Sequence, residues 1–232
     1  MANRKLFAKW SRWLDQIKNE LIELVVQQRH FHELQDTIAP HVGEDTGVEL
    51  ARWIAQAYYA YACLAVRRLV EGPKSNVPKK GDPKLTISLV VLLEDLATNN
   101  SELIRARTRR LYLRHMRHLG DDVAIRAADR DFDQVARKKR GREISVSRIK
   151  RDIASIRKAA KRIKRRVDKV YAHTERDRRR IGKPLRLVEI DAAIKTLVEM
   201  HRLYALLIQG RDVRGLAPAE FEISSDLRKI WP

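Results

Sequence analysis

Within the run KRIKRRVDKVYAHTERDRRR, residues 161–180, one histidine, His173, stands among arginines and lysines. Imidazole is the side chain most readily tuned to exchange protons near neutral pH, and a guanidinium field is what a phosphodiester seeks. RNA carries its own nucleophile in the 2′-OH. Cleaving it needs a base for that proton, an acid for the leaving oxygen and a cation for the developing charge. Histidine and arginine meet those needs. The plainer reading of the same residues is a helix-end histidine on a solvated basic face, which binds polyanions and does no chemistry.

On a continuous helix Arg162, Arg166, Lys169 and His173 are spaced 4, 3 and 4 and share one face. Arg166 and His173 are then two turns, roughly 10 Å, apart along the axis. A symmetric partner can bring its own copy close, which points to a composite site across a dimer. Other candidates are weaker. Arg109 and Arg110 precede His115 in a similarly loose pattern, which shows how readily such matches arise in a chain with 49 Lys and Arg. His115 with His118, and His30 with His32, lack a third ligand at a recognisable spacing, so no metal is expected. His201 falls on an apolar stripe and reads as a core histidine. Glu94 and Asp95, adjacent on a helix and so about 100° apart, read as surface charges or caps. No Gly-rich phosphate loop, nucleophile elbow or HExxH occurs, and no cofactor is expected.

The charge balance agrees with a polyanionic partner. The 232 residues include 49 Lys and Arg against 30 Asp and Glu, a formal charge of +19, beyond what solubility alone calls for. Residues 137–180 hold 20 of those bases and 5 of the acids, so most of the excess belongs to one segment. Nucleic acid is the first expectation, RNA ahead of DNA, with an acidic protein second and an anionic membrane surface third. The aromatic residues lie mostly in the first two helices, which disfavours a stacking platform for single-stranded bases. Cys63 is the one cysteine, so no disulfide framework or cysteine zinc site forms within a chain. The longest uncharged apolar stretch, Ala57 to Val66, is too short to span a bilayer, and MANRKLFAKWSRW lacks the apolar core of a signal peptide. A cytoplasmic protein is expected.

The elements that must position these residues are helices. Apolar residues recur at helical spacing almost throughout, and period-two runs of β-branched residues are missing, which predicts an all-α chain. Helices are expected from about Arg4 to Thr37, Val48 to Glu71, Thr86 to Ala97, Ser101 to His118, Asp121 to Val135 and Leu185 to Gln209. Gly72 to Lys84 reads as a proline-rich loop. A long helix capped by Ser147 carries Ile149, Ile153, Ile156, Ala160, Ile163, Val167 and Val170 as a strict packing seam. The expected architecture is an antiparallel up-and-down helical bundle in one domain, residues 1–209: residues 1–45 form the long N-terminal helix and its connection, 46–209 the core. Residues 210–232 read as an irregular tail.

Three segments in order, AYACLAVRRLVE (Ala60 to Glu71), TISLVVLLEDL (Thr86 to Leu96) and RRVDKVYAHTERD (Arg165 to Asp177), resemble the AbiU-type branch of the HEPN superfamily. Its members are helical proteins of bacterial abortive-infection (phage-defence) and toxin–antitoxin systems. The resemblance implies a helical bundle, commonly a homodimer, with metal-independent endoribonuclease activity in active members and, in some systems, an antitoxin or other protein partner. The signature it implies is an arginine, four to six residues, then a histidine, the sites of two subunits meeting at the dimer interface. On this chain the catalytic pair becomes Arg166 and His173, with six residues between; the commoner five would put the arginine at Val167. Arg162, Arg165, Lys169 and Arg176 become the expected nucleic-acid contacts. The tyrosine that some members carry two positions after the histidine is Glu175 here. The alternative is a non-catalytic module of the same kind that binds nucleic acid or protein.

Overall fold

A computed structural model of the chain describes residues 4–38, 45–72, 87–138, 141–171 and 183–210. The α-helices among them are α1 (Arg4–Ile38), α2 (Asp45–Val70), α3 (Leu89–Thr98), α4 (Arg105–His115), α5 (Asp121–Ala136), α6 (Val146–Arg166) and α7 (Leu187–Gln209). No strand occurs among the described residues. The expectation of an all-α chain of bundle type with a long N-terminal helix holds. Of the expected tail, residues 210–232, all but Gly210 lie outside the described residues.

Helix ends differ from expectation where the backbone finds other partners. Ser88, rather than Thr86, starts α3: its hydroxyl accepts the Val91 N–H at 3.1 Å and donates to the Glu71 carbonyl at 2.7 Å. Ser101 does not cap α4. It lies in a single 3₁₀ turn, Asn100–Glu102, after which the chain extends. There the Ile144 N–H donates to the Leu103 carbonyl at 3.1 Å and the Arg105 N–H to the Arg142 carbonyl at 2.9 Å, so helix starts only at Arg105. Gly120, at φ 87°, takes the N-cap position of α5, a conformation that suits glycine. Ser145 rather than Ser147 caps α6, its hydroxyl accepting the Arg148 N–H at 3.2 Å. The last helix, α7, starts at Leu187 rather than Leu185, and the Glu189 carboxylate accepts the Arg186 N–H at 2.9 Å.

The helices pack as two compact units. One gathers the start of α1, α3, α4, α5, most of α6 and the end of α7; the other gathers the rest of α1, α2, the end of α6 and the start of α7. In the first unit Trp10, Leu14, Leu92, Phe132 and Tyr204 are fully buried. Asp95, read from sequence as a surface charge or cap, instead accepts the Trp10 Nε1–H at 2.6 Å and pairs with Lys9 at 3.0 Å. Its neighbour Glu94 pairs with Arg157 at 2.6 Å. His201 is a core histidine, 1% exposed. Its Nε2 lies 3.0 Å from the Leu14 carbonyl, and burial pulls its pKa below the ordinary histidine value against that hydrogen bond.

In the second unit Phe31 stacks on Tyr58 at 4.1 Å, and Asp191 accepts from Gln28 at 2.6 Å and faces His32 at 3.3 Å. These contacts tie α1 to α2 and to α7. The seam of α6 reads as the sequence proposes: Ile149, Ile153, Ile156, Ala160, Ile163 and Val167 are buried, while Val170 is half-buried.

Candidate functional site

The long basic helix changes form at the residues that matter most. Regular α-helix ends at Arg166, and Val167–Tyr171 form a π turn. A π turn closes hydrogen bonds from i to i+5 rather than i+4, so it holds one residue more than an α turn; such turns occur often at functional sites. Val167, the last seam residue before it, is 0% exposed. Arg166 is half-buried and acts on Cys63 of α2. That thiol is buried, which pushes its pKa up to about 11, and the Arg166 charge pulls the other way. At neutral pH it stays a neutral thiol, not a nucleophile.

One residue into the π turn, Asp168 pairs with Arg67 of α2 at 3.0 Å. AYACLAVRRLVE and RRVDKVYAHTERD are therefore joined by an ion pair. The sequence reading did not single out this contact. Its only trace there is one acid, Asp168, within a run of bases.

Arg162 is exposed, yet it is committed to its own chain. It pairs with Glu189, and one of its terminal nitrogens donates to the Lys183 and Pro184 carbonyls at 3.2 and 3.1 Å. The Glu189 carboxyl is held below the usual carboxylate range by the Arg186 N–H and then by Arg162. Arg162 thus fastens residues 183–189 to α6. Arg165 is exposed on α6, and Lys169 is half-buried within the π turn. His173 and Arg176 lie outside the described residues.

Beyond these, α6 presents a basic face. Lys150, Arg151, Lys158, Lys161 and Arg165 are all exposed and fall within an arc of about 100° on the side away from the seam. Over those residues the face runs roughly 22 Å, long enough to follow several backbone phosphates. Among the described residues no three His, Cys, Asp or Glu side chains converge as metal ligands. No helix among them is long and apolar enough to cross a membrane.

Helices without strands among the described residues, one of them long and basic, agree with the HEPN-type resemblance. The profile of the HEPN AbiU2 family matches residues 7–225, and the chain belongs to that family. No curated protein and no solved structure matches the chain.

Proposed function

We propose that the chain is a metal-independent endoribonuclease of an abortive-infection or toxin–antitoxin system. His173 acts as general acid and base on the 2′-OH and the leaving oxygen, and Arg166 is the cation for the charge that develops on the phosphate. Arg165, Lys169 and Arg176 contact the RNA backbone, and Arg162 adds charge beside them while holding the start of α7. Two copies meeting at their sites would supply the composite form that the family resemblance implies.

The observation that carries this reading is the π turn directly after Arg166. In an unbroken α-helix, a six-residue interval carries the histidine one residue, or about 100°, beyond where a five-residue interval puts it. A single π turn takes up that residue. For a helix continuing past Tyr171, the interval in this chain is then equivalent to the commoner one, and Val167 is free to serve the seam.

The exposed basic face of α6 favours a second reading, a non-catalytic nucleic-acid-binding module. Purified wild type, Arg166→Ala and His173→Ala, incubated with labelled RNA with and without EDTA, separate the two. Catalysis gives 2′,3′-cyclic phosphate ends in EDTA with wild type alone. Binding without cleavage, falling steeply with salt and indifferent to His173→Ala, would establish the second.

A further inference from the structure

α2 carries an exposed apolar stripe. Trp53 is 66% exposed, Leu64 43% and Leu50 40%, and Ala57 between them is exposed as well. At about 100° per residue, Leu50, Trp53, Ala57, Ala60 and Leu64 lie on one face of the helix. Solvent gives no reason to hold a tryptophan two-thirds exposed in the middle of such a stripe. Large apolar groups in this setting mark protein contacts, and tryptophan is prominent among the residues that dominate their energy.

The order of residues along the stripe says what covers it. A two-fold axis midway between Tyr58 and Tyr59 would bring a second α2 alongside the first, antiparallel, with each residue at the level of its mirror position. Ala57 of one copy then meets Ala60 of the other, and the small side chains let the backbones approach. Trp53 of one copy lies at the level of Leu64 of the other, twice over. At the ends the same operation sets Glu49 level with Arg68. Their side chains are 75% and 56% exposed; Glu49 faces the exposed Arg52 at 2.5 Å, and Arg68 faces Glu20 at a long 3.8 Å. Small residues at the centre, bulky ones flanking them and opposite charges at the rim form a self-complementary pattern, as a two-fold interface requires. Antiparallel helix dipoles add to it.

We propose that this face of α2 is a self-association surface on which a second copy of the chain docks antiparallel about the Ala57–Ala60 centre. It is distinct from a joining of two catalytic sites. The two copies of Arg67, and with them their Asp168 partners, fall roughly 25 Å apart along the paired helices. A protein that also joins its sites elsewhere would use two separate contacts per chain.

Sedimentation of the full-length chain over a range of concentrations tests this. Wild type self-associates, and Trp53→Glu halves the assembled mass, weakening association on the order of tenfold or more, with helical circular dichroism and melting temperature unchanged. Leu64→Lys does the same and guards against one variant misfolding. Glu49→Arg and Arg68→Glu each weaken association by opposing like charges, and together restore it. A monomeric wild type would overturn the proposal, as would a Trp53→Glu protein that assembles like wild type. Two single swaps that weaken association without mutual rescue would overturn the antiparallel register.

Discussion

At the start of α6, Arg148 and Asp152 are each 2% exposed. The guanidinium bonds Asp152 and the Val135 carbonyl, and the Tyr204 hydroxyl donates to the other Asp152 oxygen at 2.9 Å. At the end of the same helix the charges are held loosely: Arg166 is half-buried, and the side chains of Arg67 and Asp168 are 21% and 41% exposed. Desolvated charge that is paired within its own chain specifies a fold and is out of a ligand's reach. Charge left at the water boundary stabilises little but remains available to a phosphate. One helix does both kinds of work, and the change from α to π geometry falls where the second begins.

Breaking the buried network should have the largest effect. Asp152→Ala leaves a buried, uncompensated Arg148 and should cost about 3–5 kcal/mol, read as a steep loss in denaturant midpoint. Next is the exchange Arg166→Val with Val167→Arg, which writes the commoner five-residue interval into the sequence. It moves a guanidinium to a position that is 0% exposed, so it should destabilise by about 3 kcal/mol and fail to cleave RNA. A stable, active exchange variant would show that the π turn is not what sets the interval.

The buried histidine of the first unit gives a smaller, pH-dependent effect. Burial lowers the folded-state pKa of His201, so the unfolded chain binds the proton more readily. The stability associated with neutral His201 is therefore fully present above its unfolded pKa and is lost as pH falls towards the folded value. Between pH 7.5 and 5.5 wild type should lose more stability than His201→Gln in parallel melts. Smallest in stability is Lys158→Ala with Lys161→Ala on the exposed face, within about 0.5 kcal/mol of wild type. Its signature is electrostatic: the slope of log affinity for single-stranded RNA against log salt should become shallower by roughly 1 to 1.5.

Much of this was legible in the sequence because it rests on periodicity. The seam from Ile149 to Val167, the core position of His201 and the all-helical class follow from spacing and burial. The charged contacts were not legible. Asp95 and Glu94 look alike in sequence, yet one accepts from a buried tryptophan and the other pairs with an exposed arginine, because their partners lie on different helices. Arg148 and Asp152 stand four apart within a long basic run, where nothing marks one arginine as buried. The π turn is hidden for a related reason: Ile163, Val167 and Val170 keep the spacing of an α-helix. Arg162, read as a phosphate contact, also clamps residues 183–189, a role that depends on where α7 begins.

The most direct test of the central claim is RNA cleavage by wild type, Arg166→Ala and His173→Ala in EDTA, with product ends identified. The account predicts 2′,3′-cyclic phosphate from wild type and loss of cleavage in both variants, while their RNA affinity stays within a few fold of wild type. Full activity in His173→Ala, or tight binding by wild type with no cleavage at all, would contradict it.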